Sequence, residues 1–216
     1  MKLYDSVGPN PRLVRIFLAE KGLELPTEQV DLMAGANREP PYVSKNPFGQ
    51  MPSLELDDGS VIGETGVICE YLEELHPAPV LIGSTPEQRA ETRMWTRRIV
   101  LNITEPMSNG FRYAEGFAIF KDRMRTIPHA ADDLKAVARD GLGLLDGLIA
   151  GREWIVGDRF SLADVALYAN LDFFAGIGQP LDPTLEHVGA WFARAGARPS
   201  AEASLHPAAS AGGMRA

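Results

Sequence analysis

Cysteine is almost missing. The 216 residues hold one, Cys69, so no internal disulfide framework can staple the fold, and Cys-x-x-Cys dithiol chemistry is excluded. A single thiol also fits a reducing cytoplasm. No stretch approaches the ~18 consecutive apolar residues of a membrane span, and the opening MKLYDSVGPNPR lacks the apolar centre of a secretory signal. The four histidines, His76, His129, His187 and His206, stand at no metal-ligand spacing, so no metal is expected. Basic charge is short as well. The chain carries 21 Lys and Arg against 29 Asp and Glu, a net −8. Residues 1–76 hold six basic against thirteen acidic side chains, a balance of −7. Such a surface repels phosphate backbones, which argues against a nucleic acid partner. Internal repeats are absent.

What is present is ordinary for a soluble protein with a sizeable core: 45% apolar and 23% charged residues. The first 76 residues alternate between strand and helix patterns. Residues 1–4 read as a short strand. Residues 11–21 read as a helix closed by Gly22, with Leu13, Val14, Phe17 and Leu18 forming one apolar face. A second strand is expected at 29–32, then a loop over 35–46 with one helical turn near 41–44. A hairpin follows, 53–56 with 60–62, around the turn Asp57-Asp58-Gly59. A helix at 65–76 ends at Pro77, giving the order βαβ, loop, ββα. The segment PAPVLIGS at 77–84 reads as a linker.

Beyond it every pattern is helical. Thr85-Pro86-Glu87-Gln88 is a helix start, with Thr85 as N-cap and Gln88 completing a capping box. That helix runs toward Arg112 with a bend at Pro106. Helices are further expected over 117–149, interrupted near Pro128, and at 161–173 and 184–195. The resulting division is an α/β unit at 1–77, a linker at 78–85 and an all-helical unit at 86–198. The tail at 199–216, rich in Ala, Ser and Gly, reads as disordered.

Three places carry chemistry. Gln50-Met51-Pro52 precedes the hairpin, where a proline cannot donate to a ladder. A cis Met51–Pro52 bond would turn the main chain of Met51 outward, ready to pair with an extended peptide; a trans proline simply starting the strand is the alternative. Glu64-Thr65 opens the 65–76 helix. The helix N-terminus and the Thr65 hydroxyl suit a ligand carboxylate, and Glu64 suits an ammonium, so the pair fits an α-amino acid head group. The plainer reading makes Thr65 an N-cap and Glu64 a complement to the helix dipole. Pro9-Asn10-Pro11 opens the first helix, with Asn10 as its N-cap and Pro11 at its first position. A thiol lying there would feel the positive helix end and accept the Asn10 amide, both favouring thiolate.

These features, in this order and spacing, resemble the cytosolic glutathione transferase family over nearly the whole chain. NPFGQMPSLELDDGSVIGETGVICEYLEE is similar to the second half of that family's glutathione-binding domain, and FSLADVALYANL to a helix start in its C-terminal domain, where Ser161 and Asp164 form a capping box. The resemblance implies a thioredoxin-like N-terminal domain, an all-helical C-terminal domain, a cytoplasmic homodimer and glutathione as co-substrate. In the family the sulfur is activated by Tyr, Ser or Cys at or after the first strand. PNPRLVRIFLAEKG resembles most the bacterial nu-like group, in which asparagine assists the sulfur; Gly8 stands where theta- and zeta-like classes have serine. The resemblance therefore implies Asn10 first, then Ser6, then Tyr4 as activating residue. It implies Gln50, Met51, Pro52, Glu64, Thr65 and Lys45 as glutathione-binding. Met107, Phe111 and Tyr113 would wall a pocket for the electrophile; such residues serve a core equally well. Cys69 reads as a buried inert thiol. The implied reaction is attack of glutathione thiolate on a small electrophile. Glutathione-dependent reduction of a disulfide or peroxide is the first alternative, and a non-catalytic interaction protein of the same fold the second.

Overall fold

A computed structural model describes residues 1–208 and 215. The chain divides into two units, Met1–Val80 together with Pro199–Ala216, and Leu81–Arg198.

The first unit is built on a four-stranded sheet. Its elements are β1 (Lys2–Asp5), α1 (Pro9–Lys21), β2 (Thr27–Gln29), a 3₁₀ turn (Ala36–Arg38), α2 (Tyr42–Lys45), β3 (Ser53–Glu55), β4 (Val61–Ile62) and α3 (Thr65–Leu75). Strand order is β2-β1-β3-β4. β1 and β2 run parallel through Leu3↔Thr27, while β3 opposes β1 through Tyr4↔Ser53 and β4 opposes β3 through Leu54↔Ile62. Leu3, Leu54, Phe17, Ile68 and Leu72 are at most 1% exposed. On the sheet's other face Tyr4 donates to Glu55 and its ring belongs to a small buried cluster with Val30, Tyr42 and Met51.

α1 begins two residues before the sequence pattern places it. Gly8, at φ 135°, holds the cap position, so Asn10 is the second helical residue and not the N-cap. The reason is local. The first intrahelical bond runs from Arg12 N to Gly8 O at 3.1 Å, so the missing N–H groups of Pro9 and Pro11 fall where a helix has no bonds to lose. At the other end Gly22 takes the left-handed conformation (φ 63°) that closes the helix, as its residue type requires. β2 lies at 27–29 rather than 29–32, and all three of its residues are exposed.

The C-terminal segment departs most from its composition. Residues 199–203 form a helix, α10 (Pro199–Ala203), which packs on α1. Ala201 and Ser204 are 2% and 1% exposed. The buried Arg12 guanidinium holds Ala201 O and the half-buried Arg15 holds Ser204 O just past the helix, which an Ala- and Ser-rich composition cannot announce. The remainder of the expected disordered tail, 209–214 and 216, lies outside the described residues.

The second unit contains α4 (Pro86–Ile99), a π-helical segment (Val100–Thr104), α5 (Glu105–Tyr113), α6 (Phe117–Phe120), a 3₁₀ turn (Pro128–Ala130), α7 (Ala131–Leu148), α8 (Leu162–Ala175) and α9 (Glu186–Gly196). The expected bend at Pro106 appears as a widened turn just ahead of it. Pro106 offers no N–H to the carbonyl of Asn102 and its ring crowds that oxygen, so the helix opens there instead of breaking. Gly141 of α7 approaches the same carbonyl; a Cβ there would lie 2.5 Å from Asn102 O. Thr85 caps α4 by accepting from Gln88 N at 3.3 Å. The reciprocal bond goes elsewhere: Gln88 Oε1 accepts from Ser84 N and Ser84 Oγ.

α8 is the axis of this unit. Leu162 through Phe174 are all buried, as in a helix enclosed on every side, with Asp164, Asn170 and Asp172 as its buried polar members. Its start is fixed as expected. Asp164 accepts from Ser161 N and Ser161 Oγ, both at 2.9 Å, and its other oxygen accepts from Ile155 N at 3.0 Å and Trp191 Nε1 at 2.8 Å.

Candidate active site

Sheet topology decides which residues meet. β1 runs toward Ser6 and the start of α1. β3, antiparallel to it, enters from Met51–Pro52 at that same end, and β4 returns there to Glu64 and the start of α3. Ser6, Asn10, Gln50, Met51, Pro52, Glu64 and Thr65 therefore gather at one end of the sheet, although 59 positions separate the first from the last. The Tyr4 ring packs in one buried cluster with Met51, but its hydroxyl and Lys45 are directed to Glu55 instead. Lys45 Nζ pairs with Glu55 Oε2 at 2.8 Å and lies 5.4 Å from the centre of the Tyr4 ring. The Tyr4 hydroxyl donates to the same Glu55 oxygen at 2.5 Å. Glu55 opposes Lys2, two residues along β3 from the gathered end.

Met51–Pro52 is cis. Among the described residues, the main-chain N–H and C=O of Met51 have no hydrogen-bond partner, while its neighbours are held firmly. Gln50 O accepts from Tyr42 Oη at 2.6 Å and Asn46 Nδ2 at 2.9 Å, and Gly49 O accepts from Asn37 Nδ2 at 2.7 Å. Tyr42, Asn46 and Asn37 thus clamp the approach to Met51. Sequence reading missed all three, since an asparagine or tyrosine in a loop carries no mark of such a bond. Burial pushes the Tyr42 phenol up from its ordinary value, which keeps it a donor.

At the start of α3 Glu64, not Thr65, holds the cap position, and Thr65 is the first helical residue. Glu64 stands at φ 64°, ψ 118°, the one positive-φ residue other than glycine among the described residues. The first intrahelical bond is Ile68 N to Glu64 O at 2.9 Å, so the amides of Thr65, Gly66 and Val67 are left for an outside acceptor. Glu64 is exposed and Thr65 half-buried. A strained backbone carrying an exposed carboxylate beside three unused amides is a combination that folding alone does not call for.

The start of α1 is more sparsely equipped. Pro9 and Pro11 contribute no N–H, so of the first three helical positions only Asn10 brings a main-chain donor. Its side chain is half-exposed and makes no hydrogen bond among the described residues. Ser6 is 2% exposed, with its hydroxyl donated to Val30 O at 2.7 Å.

Glu55 is pulled down to about 2 from an ordinary 4.5 by hydrogen bonds from Lys45 and Tyr4. A carboxylate whose folded value is depressed contributes stability above about pH 4.5 that fades as pH falls through 2. Glu55→Gln is therefore expected to flatten the acid limb of the stability curve, read as urea midpoints compared at about pH 3 and about pH 6.

In the second unit, Met107 is 4% exposed and its carbonyl accepts from Gln179 Nε2 at 3.0 Å. Phe111 packs edge-on to Phe120 and Phe173, both 6.2 Å between ring centres. Tyr113, at the end of α5, is half-buried. Cys69 is fully buried, and burial pushes its thiol well above the ordinary value, which fits an inert core position. No group of His, Cys, Asp and Glu among the described residues could hold a metal ion, and no helix among them is long and apolar enough to cross a membrane.

Residues 7–75 match the family model for the glutathione S-transferase N-terminal domain, and residues 128–194 match that for the C-terminal domain. The chain is 32% identical over 208 residues to glutathione S-transferase 2 of Saccharomyces cerevisiae, covering 95% of this chain and 89% of that one. It belongs to the glutathione S-transferase family. Among solved structures, Gtt2 from Saccharomyces cerevisiae superposes with a TM-score of 0.88 at 32% identity, covering 95% of this chain and all of that one. A glutathione S-transferase domain-containing protein of Marinobacter aquaeolei gives 0.86 at 37% identity, over 93% and 99% of the two chains. A maleylacetoacetate isomerase of Pseudomonas aeruginosa is 33% identical over 84% of this chain and 85% of its own. The thioredoxin-like N-terminal domain and helical C-terminal domain of the family are those described above.

Proposed function

We propose that this glutathione S-transferase binds glutathione along Gln50, Met51 and Pro52, with its γ-glutamyl head at Glu64 and Thr65, and presents the thiolate to a small electrophile. The observation that carries the reading is the meeting, at one end of the sheet, of the unpaired Met51 main chain with the open starts of α1 and α3. An extended tripeptide pairs with Met51 as an added strand. Its α-carboxylate takes the free amides and hydroxyl at Thr65, and its ammonium takes the Glu64 carboxylate. The sulfur then faces the start of α1, where Asn10 is the side chain with an uncommitted donor. The nu-like resemblance of PNPR supports the same choice. Ser6 and Tyr4 follow, because their hydroxyl hydrogens are already given to Val30 O and Glu55. Lys45 meets the glycine carboxylate only by leaving Glu55. Met107, Phe111 and Tyr113 are proposed as electrophile-facing.

The likeness to an enzyme named as an isomerase favours a second outcome from the same thiolate. Addition to a conjugated cis double bond, rotation and departure of the sulfur would isomerise the substrate and return glutathione. Calorimetry with glutathione, followed by turnover of an aryl halide, a mixed disulfide and a conjugated cis-diacid, separates these outcomes. Absence of binding at millimolar glutathione would leave only the non-catalytic alternative.

Glu64→Gly separates the site from the fold. Glycine relieves a conformation that costs a side-chain-bearing residue about 1–3 kcal/mol, so thermal stability is expected to hold or rise. Glutathione affinity is expected to fall about tenfold with the lost charge contact. A variant that loses stability and keeps its affinity contradicts the assignment.

A cytoplasmic homodimer is proposed with the same function. Phe48, 80% exposed, and Val67, 53% exposed, are apolar groups of the first unit that a second copy would cover. Sedimentation at twice the chain mass is the expected result.

A further inference from the structure

The C-terminal segment lies beyond both matched domains, the second of which ends at residue 194, yet its bonds lead back to the loop ahead of Asn10. Arg15 of α1 makes the connection. Its Nη1 donates to Asp5 Oδ1 at 2.6 Å and to Ser6 O at 3.1 Å, while its Nε donates to Ser204 O at 2.8 Å. Asp5, Ser6 and Ser204 are each at most 2% exposed. One guanidinium therefore bolts the end of β1 and the first residue of the β1–α1 loop to residue 204.

A second route runs in parallel. His206 Nδ1 accepts from Ala208 N, so Nε2 carries the hydrogen and donates to Gln29 Oε1 at 2.7 Å; Gln29 Nε2 donates in turn to Asp5 Oδ2 at 3.1 Å. A third bond set fixes the helix itself. Arg12, wholly buried two residues after Asn10, donates to Ala201 O at 3.0 Å, Ser204 Oγ at 3.3 Å and Arg215 O at 2.6 Å. Both sides of the Ser6–Gly8 loop are thus tied to the same docked segment.

Resting on the glutathione reading above, we infer that Arg15 is a positioning residue for sulfur activation, fixing the β1–α1 loop against the C-terminal segment so that Asn10 meets the thiolate. A hydrogen bond to a thiolate weakens steeply with misalignment, and the loop has only Ser6, Val7 and Gly8 in which to absorb a displacement. Gly8, at φ 135°, is the position with the freedom to let it move.

The test follows the ultraviolet absorbance of bound thiolate against pH in the full-length chain. Wild-type protein is expected to ionise glutathione well below the value of free glutathione. Arg15→Met is expected to raise the midpoint by about one pH unit, with glutathione affinity by calorimetry held within about threefold. Arg15→Lys, which keeps the charge but cannot serve Asp5 and Ser204 together, is expected to fall between the two. A folded Arg15→Met protein with the wild-type midpoint overturns the inference and reduces the segment to a prop for the fold. Should Arg15→Met fail to fold, a wild-type midpoint in Arg15→Lys overturns it in the same way. Wild-type protein that binds no thiolate overturns the glutathione reading itself, and this inference with it.

Discussion

Bound glutathione is expected to ionise about one to two pH units higher in Asn10→Ala than in the wild type, a range set by one charge-assisted hydrogen bond of about 1.5–3 kcal/mol at 1.36 kcal/mol per unit. The argument rests on how little else stands at the tip of α1. The helix dipole is present, but Pro9 and Pro11 leave Asn10 as the sole N–H donor of the first three positions, and its side chain has no competing bond among the described residues. Turnover below the shifted midpoint should drop about tenfold to a hundredfold, since each tenfold corresponds to about 1.36 kcal/mol. Tyr4→Phe and Ser6→Ala serve as counter-tests. Each deletes a hydroxyl already committed elsewhere, so each should move stability and leave the midpoint in place. If Ser6→Ala or Tyr4→Phe abolishes the thiolate while Asn10→Ala preserves it, the ranking is reversed.

The largest effect on folding is expected at Asp164. Its two oxygens accept from Ile155 N, Ser161 N, Ser161 Oγ and Trp191 Nε1, and the residue is wholly buried. Asp164→Ala leaves four donors without acceptors where water does not reach, and an unsatisfied buried polar group costs about 1–3 kcal/mol. Allowing for local relaxation, a loss of about 4 kcal/mol is expected, which for a chain of this size lowers Tm by about 8–16 °C. Asp164→Asn, which retains acceptor capacity, should lose less than half of that. Thermal unfolding followed by circular dichroism reads both variants. Equal losses would show that the charge, and not the set of acceptors, holds the loop.

Elements with a local cause were legible in the sequence. Gly22 closes α1, the Asp57-Asp58-Gly59 turn joins β3 to β4, and the Ser161–Asp164 box starts α8, because each depends on residues three or four positions apart. Elements with a distant cause were not. The helix at 199–203 depends on Arg12 and Arg15, nearly 190 positions away, and the clamp ahead of Met51 depends on Tyr42 and Asn37 reaching Gln50 and Gly49 across 8 and 12 positions. The π-helical turn was half visible: Pro106 announced a disturbance, but only the approach of Gly141 to Asn102 indicates that the helix widens instead of breaking. At the candidate site, the residue types at Asn10, Met51, Pro52, Glu64 and Thr65 were enough to nominate them. The positive φ of Glu64 and the prior commitments of Ser6, Tyr4 and Lys45 were not readable from residue types.

Because the first unit is made of residues 1–80 and 199–216, the polypeptide interrupts it with the entire second unit. A ribosome finishes the helical unit before it releases the residues that complete the first. The nascent chain can therefore carry β1 to α3 and the whole helical unit while Arg12 and Arg15 still await their carbonyls, so a chain cut after residue 198 has one unit whole and the other unfinished.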